Sequence, residues 1–112
     1  MPPSLGCDVV SIRRFGDLVR EGGMIFLERI FHPHEYQGAT IEHLAGLFAA
    51  KEAACKALAL PAGNWLSLHL THDENGAPCL QVVRDKPGKC ELRVSISHDG
   101  DYAMAVVLAD LS

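Results

Sequence analysis

The spacing of apolar residues changes twice along this chain. Leu5 to Val10 reads as a short strand, and from Ile12 to Arg20 the residues Phe15, Leu18 and Val19 fall on one side of a helix. Gly22-Gly23 breaks that helix, and Met24 to Phe31 restarts it with Ile25, Phe26, Ile30 and Phe31 available for burial. Pro33 turns the chain into a brief helix around Glu35, which Gly38 ends. Thr40 is a candidate N-cap for a helix running to about Leu60, where Pro61 and Gly63 stop it. Beyond it the period becomes two: Leu66, Leu68 and Leu70 alternate with Ser67, His69 and Thr71, and Asp73-Glu74-Asn75-Gly76 turns the chain into Cys79 to Val83. A second turn at Asp85-Lys86-Pro87-Gly88 precedes the alternating Leu92, Val94 and Ile96, and His98-Asp99-Gly100-Asp101 leads into Tyr102 to Leu108. That last strand is apolar on both faces, as a strand inside a sheet would be. The expected fold class is α+β, a long central helix packed on a small antiparallel sheet.

Composition narrows this picture. The 112 residues suit one domain, 1–112, with no repeat, linker or low-complexity segment. Apolar content of 48% with 21% charged residues fits a globular protein and not a disordered one. A net charge of −4 gives no reason to expect nucleic acid as a partner. No apolar run approaches the roughly 20 residues of a membrane helix, and the start lacks a basic region followed by an apolar core, so a cytoplasmic protein without a membrane partner is expected. Cys7, Cys55, Cys79 and Cys90 lack a C-x-x-C spacing and are expected to be reduced and buried. His32, His34, His69 and His72 tempt a transition-metal reading, but their spacing is unspecific and surface or loop histidines are the better expectation.

Three segments carry candidate chemistry. Phe48-Ala49-Ala50-Lys51-Glu52-Ala53-Ala54-Cys55-Lys56-Ala57 sets Glu52 and Lys56 four residues apart on one face of an alanine-rich helix, where small neighbours admit another chain segment or a bulky ligand. Gly6-Cys7-Asp8 places an acid in an apolar segment where it needs a partner. Ser95, Ser97 and His98 end an alternating strand with groups that bind oxyanions.

In this order, the segments resemble the 4′-phosphopantetheinyl transferases of the short holo-acyl-carrier-protein synthase type. The resemblance spans nearly the whole chain. It rests on Gly6 and Asp8, Ile12 and Arg14, Phe48 with Lys51-Glu52-Ala53 and Lys56, then Ser95, Ser97 and His98, supported by Phe26 to Phe31, Pro33 and Glu35. It implies that family's fold and the transfer of 4′-phosphopantetheine from coenzyme A to a serine of an acyl carrier protein of fatty-acid or polyketide biosynthesis, releasing 3′,5′-ADP. By the same resemblance Asp8 and Glu52 are expected to ligate Mg²⁺, with Asp8, Glu52 and Lys56 catalytic and Lys56 also on a phosphate. Ser95, Ser97 and His98 are expected by the same resemblance at the nucleotide end of coenzyme A, with its 3′-phosphate as the candidate contact. Lys51, about 100° around the helix from Glu52, is expected to face solvent or an adjacent subunit as a second-tier cofactor contact. Arg14 is expected to meet the acidic carrier protein. For the general base, Glu52 acting through metal-held water and Glu35 both stand. A homotrimer is implied, with the cofactor between subunits.

Two departures from the family pattern define the alternative. Leu47 precedes Phe48 where family members commonly carry arginine, and the loop Leu60 to Trp65 is shorter than a Gly-Thr-Gly type loop. The alternative is a non-catalytic module that binds a carrier protein or coenzyme A.

Overall fold

In the computed structural model, which describes residues 3–83 and 91–110, strand β1 (Ser4–Ser11) feeds without a loop into α1 (Ile12–Ile30). Ser11 makes this junction, because its hydroxyl accepts from the Arg14 amide at 3.2 Å and caps the helix. The same hydroxyl donates to Asp101 Oδ2 at 2.6 Å, Arg13 N donates to Asp101 Oδ1 at 2.9 Å, and Ile12 N donates to Asp101 O at 2.7 Å. The Ser11 hydroxyl first, and the Arg13 amide second, hold the Asp101 carboxyl below the usual carboxylate range. One exposed turn is thereby tied to the start of α1.

The break expected at Gly22-Gly23 is a kink within α1: Gly23 takes φ 56°, ψ −145°, a conformation open to glycine. The kink turns Phe26, Ile30 and Phe31 inward toward Phe15 while Leu18 and Ile25 stay exposed, which corrects the burial expected for those two. After α2 (Pro33–Tyr36), Thr40 Oγ1 accepts from His43 N at 3.1 Å and opens α3 (Ile41–Ala57). This helix ends three residues before the expected Leu60. Ala59 adopts φ 54°, and the Leu60 and Ala59 amides fold back to the Cys55 and Lys56 carbonyls at 2.9 and 3.3 Å, closing the helix before Pro61.

A short 3₁₀ turn, Trp65–Ser67, leads into β2 (Leu68–His72), which forms the expected hairpin with β3 (Pro78–Val82). Asp73 Oδ1 organises its tip by accepting from the Asn75 and Ala77 amides. The turn expected at Asp85–Gly88, and Cys90, lie outside the described residues. Strands β4 (Glu91–Asp99) and β5 (Tyr102–Asp110) complete an antiparallel sheet of order β1-β5-β4-β3-β2. Ala103, Ala105, Val107 and Ala109 of β5 are buried beneath α3, whereas Tyr102, Met104, Val106 and Leu108 are exposed on the opposite face beside Leu5 and Val9 of β1. Cys7 shares that exposed face and so corrects the expectation that all the cysteines are buried, while Cys55 is buried and Cys79 intermediate.

Apart from Glu52, Lys56 and its first turn, α3 is largely buried, and this decides the position of Lys51. Its side chain is fully buried, and Nζ donates to Ile30 O at 2.8 Å and to Glu35 Oε1 at 2.7 Å. Glu35 Oε1 also accepts from His32 N at 2.7 Å, and Oε2 accepts from Leu70 N at 2.8 Å. One ion pair therefore joins the end of α1, α2, β2 and α3. Burial lowers the Lys51 pKa, opposed by its bond to Glu35. The expectation that Lys51 faces solvent or a neighbouring subunit and contacts the cofactor is corrected: its ammonium is sealed inside the protein as a strut. Glu35 is corrected with it, since its oxygens are committed to Lys51 and two backbone amides and do not face a substrate as a base would. Replacing Lys51 with Met is expected to cost about 3–5 kcal/mol by leaving Glu35 buried without its cation. Urea unfolding measures this, and an unchanged midpoint would contradict the strut.

Candidate active site

Close approach of two backbones creates the site. A Cβ built on Gly6 would lie 1.8 Å from Ala53 O and 3.0 Å from Ala57 N, so β1 can rest on α3 only because this residue has no side chain. Asp8, two residues on, shares the inward face of the strand and comes to the exposed end of the helix. There Lys56 Nζ donates to Asp8 Oδ1 at 3.1 Å and to Cys7 O at 2.9 Å. The pair is partly exposed, with side-chain accessibilities of 56% for Lys56 and 21% for Asp8, so it is weak and its ammonium can turn to a phosphate at small cost.

Glu52 lies one turn before Lys56 and is half-buried. Among the described residues its carboxylate has no hydrogen bond or ion pair, and Lys56, which shares its helix face, bridges to Asp8 instead. Its negative charge is felt at Cys55, whose thiol is pushed up by burial and then by Glu52. Asp8 and Glu52 are hard oxygen donors, and two carboxylates suit Mg²⁺, which usually takes one or two from a protein and fills its remaining positions with water and substrate phosphate. Among the described residues no group of three or more His, Cys, Asp and Glu side chains could hold a metal by itself.

Beside Asp8 opens a cavity of about 240 Å³, lined by Val10, Ser11, Arg14, Phe15 and Phe48 among others. Phe15 and Phe48 pack as a tilted pair with centroids 5.4 Å apart, and Phe48 continues to Trp65 at 5.7 Å. The motif phenylalanine therefore forms the apolar wall of the space that Asp8 and Arg14 border. The sequence reading missed this aromatic wall, although Phe15 and Phe48 were both in view.

The third segment divides. Register pairs Ser95 with Val106 and Ser97 with Met104 on the exposed face, but His98 with buried Ala103 on the face beneath α3. Ser95 and Ser97 thus point away from His98, and within one chain the three do not line a common pocket. The period of two already required this. His98 rests on the helix at Gly46, where a Cβ would meet its Nε2 at 3.1 Å. The other histidines partly assemble: the rings of His32, His34 and His69 lie 5.8–6.1 Å apart, with the Nε2 atoms of His32 and His34 on the carbonyls of Leu66 and Leu70.

The model of the 4′-phosphopantetheinyl transferase superfamily matches residues 4–107. The chain belongs to this superfamily. Curated relatives named holo-[acyl-carrier-protein] synthase include those of Pseudarthrobacter chlorophenolicus, 44% identical, and Arthrobacter, 43% identical, each covering 95% of this chain and 96% of the relative. Among solved structures, the Helicobacter pylori synthase in complex with coenzyme A aligns with a TM-score of 0.84 at 32% identity, covering 95% of this chain and 99% of the other. The Chronobacterium ammoniagenes synthase–coenzyme A complex aligns with the same TM-score and identity over 100% and 99%. For this superfamily member, Gly6→Ala is expected to force β1 off α3, to cost at least about 1–3 kcal/mol, and to separate Asp8 from Lys56. Denaturant unfolding checks the first effect, and an unchanged midpoint would show that the strand can stand off without loss.

Proposed function

We propose that this enzyme transfers 4′-phosphopantetheine from coenzyme A to a serine hydroxyl of an acyl carrier protein. The observation that carries this reading is the junction of β1 with α3, which presents Asp8, Lys56 and an unpartnered Glu52 carboxylate together beside an apolar cavity. In the reaction the serine hydroxyl gives up its proton, for which Glu52 is the base candidate that remains. The serine oxygen bonds to the phosphorus carrying the pantetheine arm, the bond from that phosphorus to the bridging oxygen breaks, and 3′,5′-ADP departs with the electron pair. Asp8 and Glu52 would hold Mg²⁺, which when bound supplies positive charge to the pyrophosphate oxygens. Lys56 brings a mobile ammonium to the same phosphates and stabilises charge on the departing nucleotide. Arg14, exposed at the rim of the cavity, faces outward where an acidic carrier protein would dock, and exposed Leu18 extends that rim with apolar surface. Phe15 and Phe48 exclude water from one side of the attack.

The exposed sheet face supports association of copies of this chain. Leu5, Val9, Tyr102, Met104, Val106 and Leu108 form one apolar surface with Ser95 and Ser97 at its side, so in a homotrimer these hydroxyls would face a neighbouring copy. With the short synthases as precedent, we assign this face to the subunit interface and place the protein in the cytoplasm.

Intact-mass measurement of apo carrier protein incubated with coenzyme A and Mg²⁺ is expected to show addition of the phosphopantetheine arm. No mass gain over a panel of fatty-acid and polyketide carriers, with coenzyme A still bound, would favour the non-catalytic module. Asp8→Ala and Glu52→Ala are expected to abolish turnover, and Lys56→Ala to slow it about tenfold to a thousandfold with the fold retained by circular dichroism. Full activity in any of them removes that residue from the mechanism. Val106→Glu, which puts charge into the exposed apolar face, is expected to shift the protein from trimer to monomer in sedimentation velocity; a monomeric wild type would remove the interface.

A further inference from the structure

The first turn of α1 is the least supported part of the candidate site. Its amides at Ile12, Arg13 and Arg14 have no partner inside the helix, as at any helix start. No acidic residue lies in that turn, and Arg13 and Arg14 put two positive charges at the positive end of the helix dipole. Left to itself, such a turn frays. From Phe15 onward the helix is anchored, since Phe15 is buried against Phe26, Phe31 and Phe48. Ahead of Phe15, only the half-buried Ile12 reaches the core.

The missing partners come from the far end of the chain. Gly100, at φ 57°, and Asp101 are the two residues of the turn between β4 and β5. That turn sets Asp101 over the start of α1. Its backbone carbonyl accepts from Ile12 N, its Oδ1 from Arg13 N, and its Oδ2 from the hydroxyl of Ser11, which itself accepts from Arg14 N. One aspartate and one serine thereby satisfy all three open amides. The carboxylate also brings the negative charge that the first turn lacks. The Ser11 hydroxyl borders the cavity beside Asp8, but its proton goes to Asp101 and a lone pair to the Arg14 amide, which commits it to the cap.

Arg14 is the residue for which this cap matters. Its side chain is exposed at the rim of the cavity, and its guanidinium makes no hydrogen bond or ion pair among the described residues. With no polar contact to fix it, its place relative to Asp8 is that of its own backbone, and the cap places that backbone. We propose that Asp101, acting through Ser11, is a positioning residue that holds Arg14 where a carrier protein meets it, and so sets affinity for the carrier and not for coenzyme A. This deepens the carrier-protein reading of Arg14 and rests on it. Neither Ser11 nor Asp101 is among the motif residues.

Titration calorimetry with an apo acyl carrier protein, beside a titration with coenzyme A, tests this. Asp101→Ala is expected to weaken carrier binding about fivefold, the factor that one lost helix cap is worth, with coenzyme A affinity unchanged. Ser11→Ala is expected to do the same, and Ser11→Thr, which keeps the hydroxyl, to bind as wild type. Because the effect runs through Arg14, adding Asp101→Ala to Arg14→Ala is expected to weaken binding no further. A merely structural loss would add to that of Arg14→Ala and lower coenzyme A affinity as well. Carrier affinity unchanged by Asp101→Ala while Arg14→Ala weakens it, or additive losses in the double variant, overturns the positioning role. Wild-type carrier affinity in Arg14→Ala, or no carrier binding by the wild type, would instead count against the carrier reading of Arg14, and the positioning role would fall with it.

Discussion

Helix α3 lies against β1 at backbone distance, and most of the arrangement follows from that approach. Side chains normally hold a helix and a sheet apart, but here Gly6 on the strand and Ala53 and Ala57 on the helix remove the spacers. The continuation of the sheet respects the same limit, with Ala103, Ala105 and Ala109 on β5 facing the helix. Small residues on both sides gain dispersion contacts over a broad area but bury little apolar surface each. The bulky core is accordingly displaced to the flanks, where Phe15 and Ile30 from α1 and Phe31 just beyond it cluster with Leu44 and Leu47, and Leu68, Leu70 and Leu80 close the hairpin side. A close helix–strand contact also has a chemical consequence. It delivers Asp8 to a helix whose own turn supplies Glu52 and Lys56.

Lys51 and Lys56 show how far position on one helix governs a side chain. They lie five residues apart, and their environments are opposite. Lys51 points into protein, where the full cost of desolvation is met by Glu35, a backbone carbonyl and the face of Phe31, its ammonium 5.3 Å from the ring centre. Lys56 lies against the middle of β1 and is largely in water, where a single carboxylate and a carbonyl hold it loosely. An enzyme that must present a cation to an incoming phosphate needs the second kind. It also needs the first, because the buried strut fixes α2 and β2 against the helix that carries Glu52.

Much of this fold was legible because local signals agreed. Thr40 as a cap, Asp73-Glu74-Asn75-Gly76 as a hairpin tip, and the alternation through Leu92, Val94 and Ile96 each had a mechanism, and each formed where it was expected. The motif pattern pointed to Asp8, Glu52 and Lys56 as candidates, and the structure brings Asp8 against the helix turn that carries the other two. What remained hidden depends on tertiary contact. Periodicity places Lys51 about 100° from Glu52 but cannot say that this side of an alanine-rich helix is covered, since nearly every side of α3 is apolar or small. The direction of α1 after its kink is set by φ and ψ at Gly23, so Ile25 reads as core and lies outside, and Leu18, before the kink, borders the cavity beside Asp8 instead of the core. The separation of Ser95 and Ser97 from His98 was available from strand alternation, and the family motif, read as one unit, concealed it.

That separation bears on how so small a chain handles so large a substrate. One face of β4 meets α3, while the other continues the exposed apolar surface of β5 and β1. Of the candidate groups for a cofactor with a pyrophosphate in its middle and a nucleotide at one end, Ser95 and Ser97 stand on one face of the sheet and His98 on the other. Division of the work between faces becomes effective only when one chain's outer face meets another chain. The same apolar residues that would be a liability on an isolated monomer then serve two purposes, covering one another and setting Ser95 and Ser97 against a neighbour. In the proposed homotrimer, apolar burial would supply the association energy, and the polar groups along its edge would be left to position the ligand.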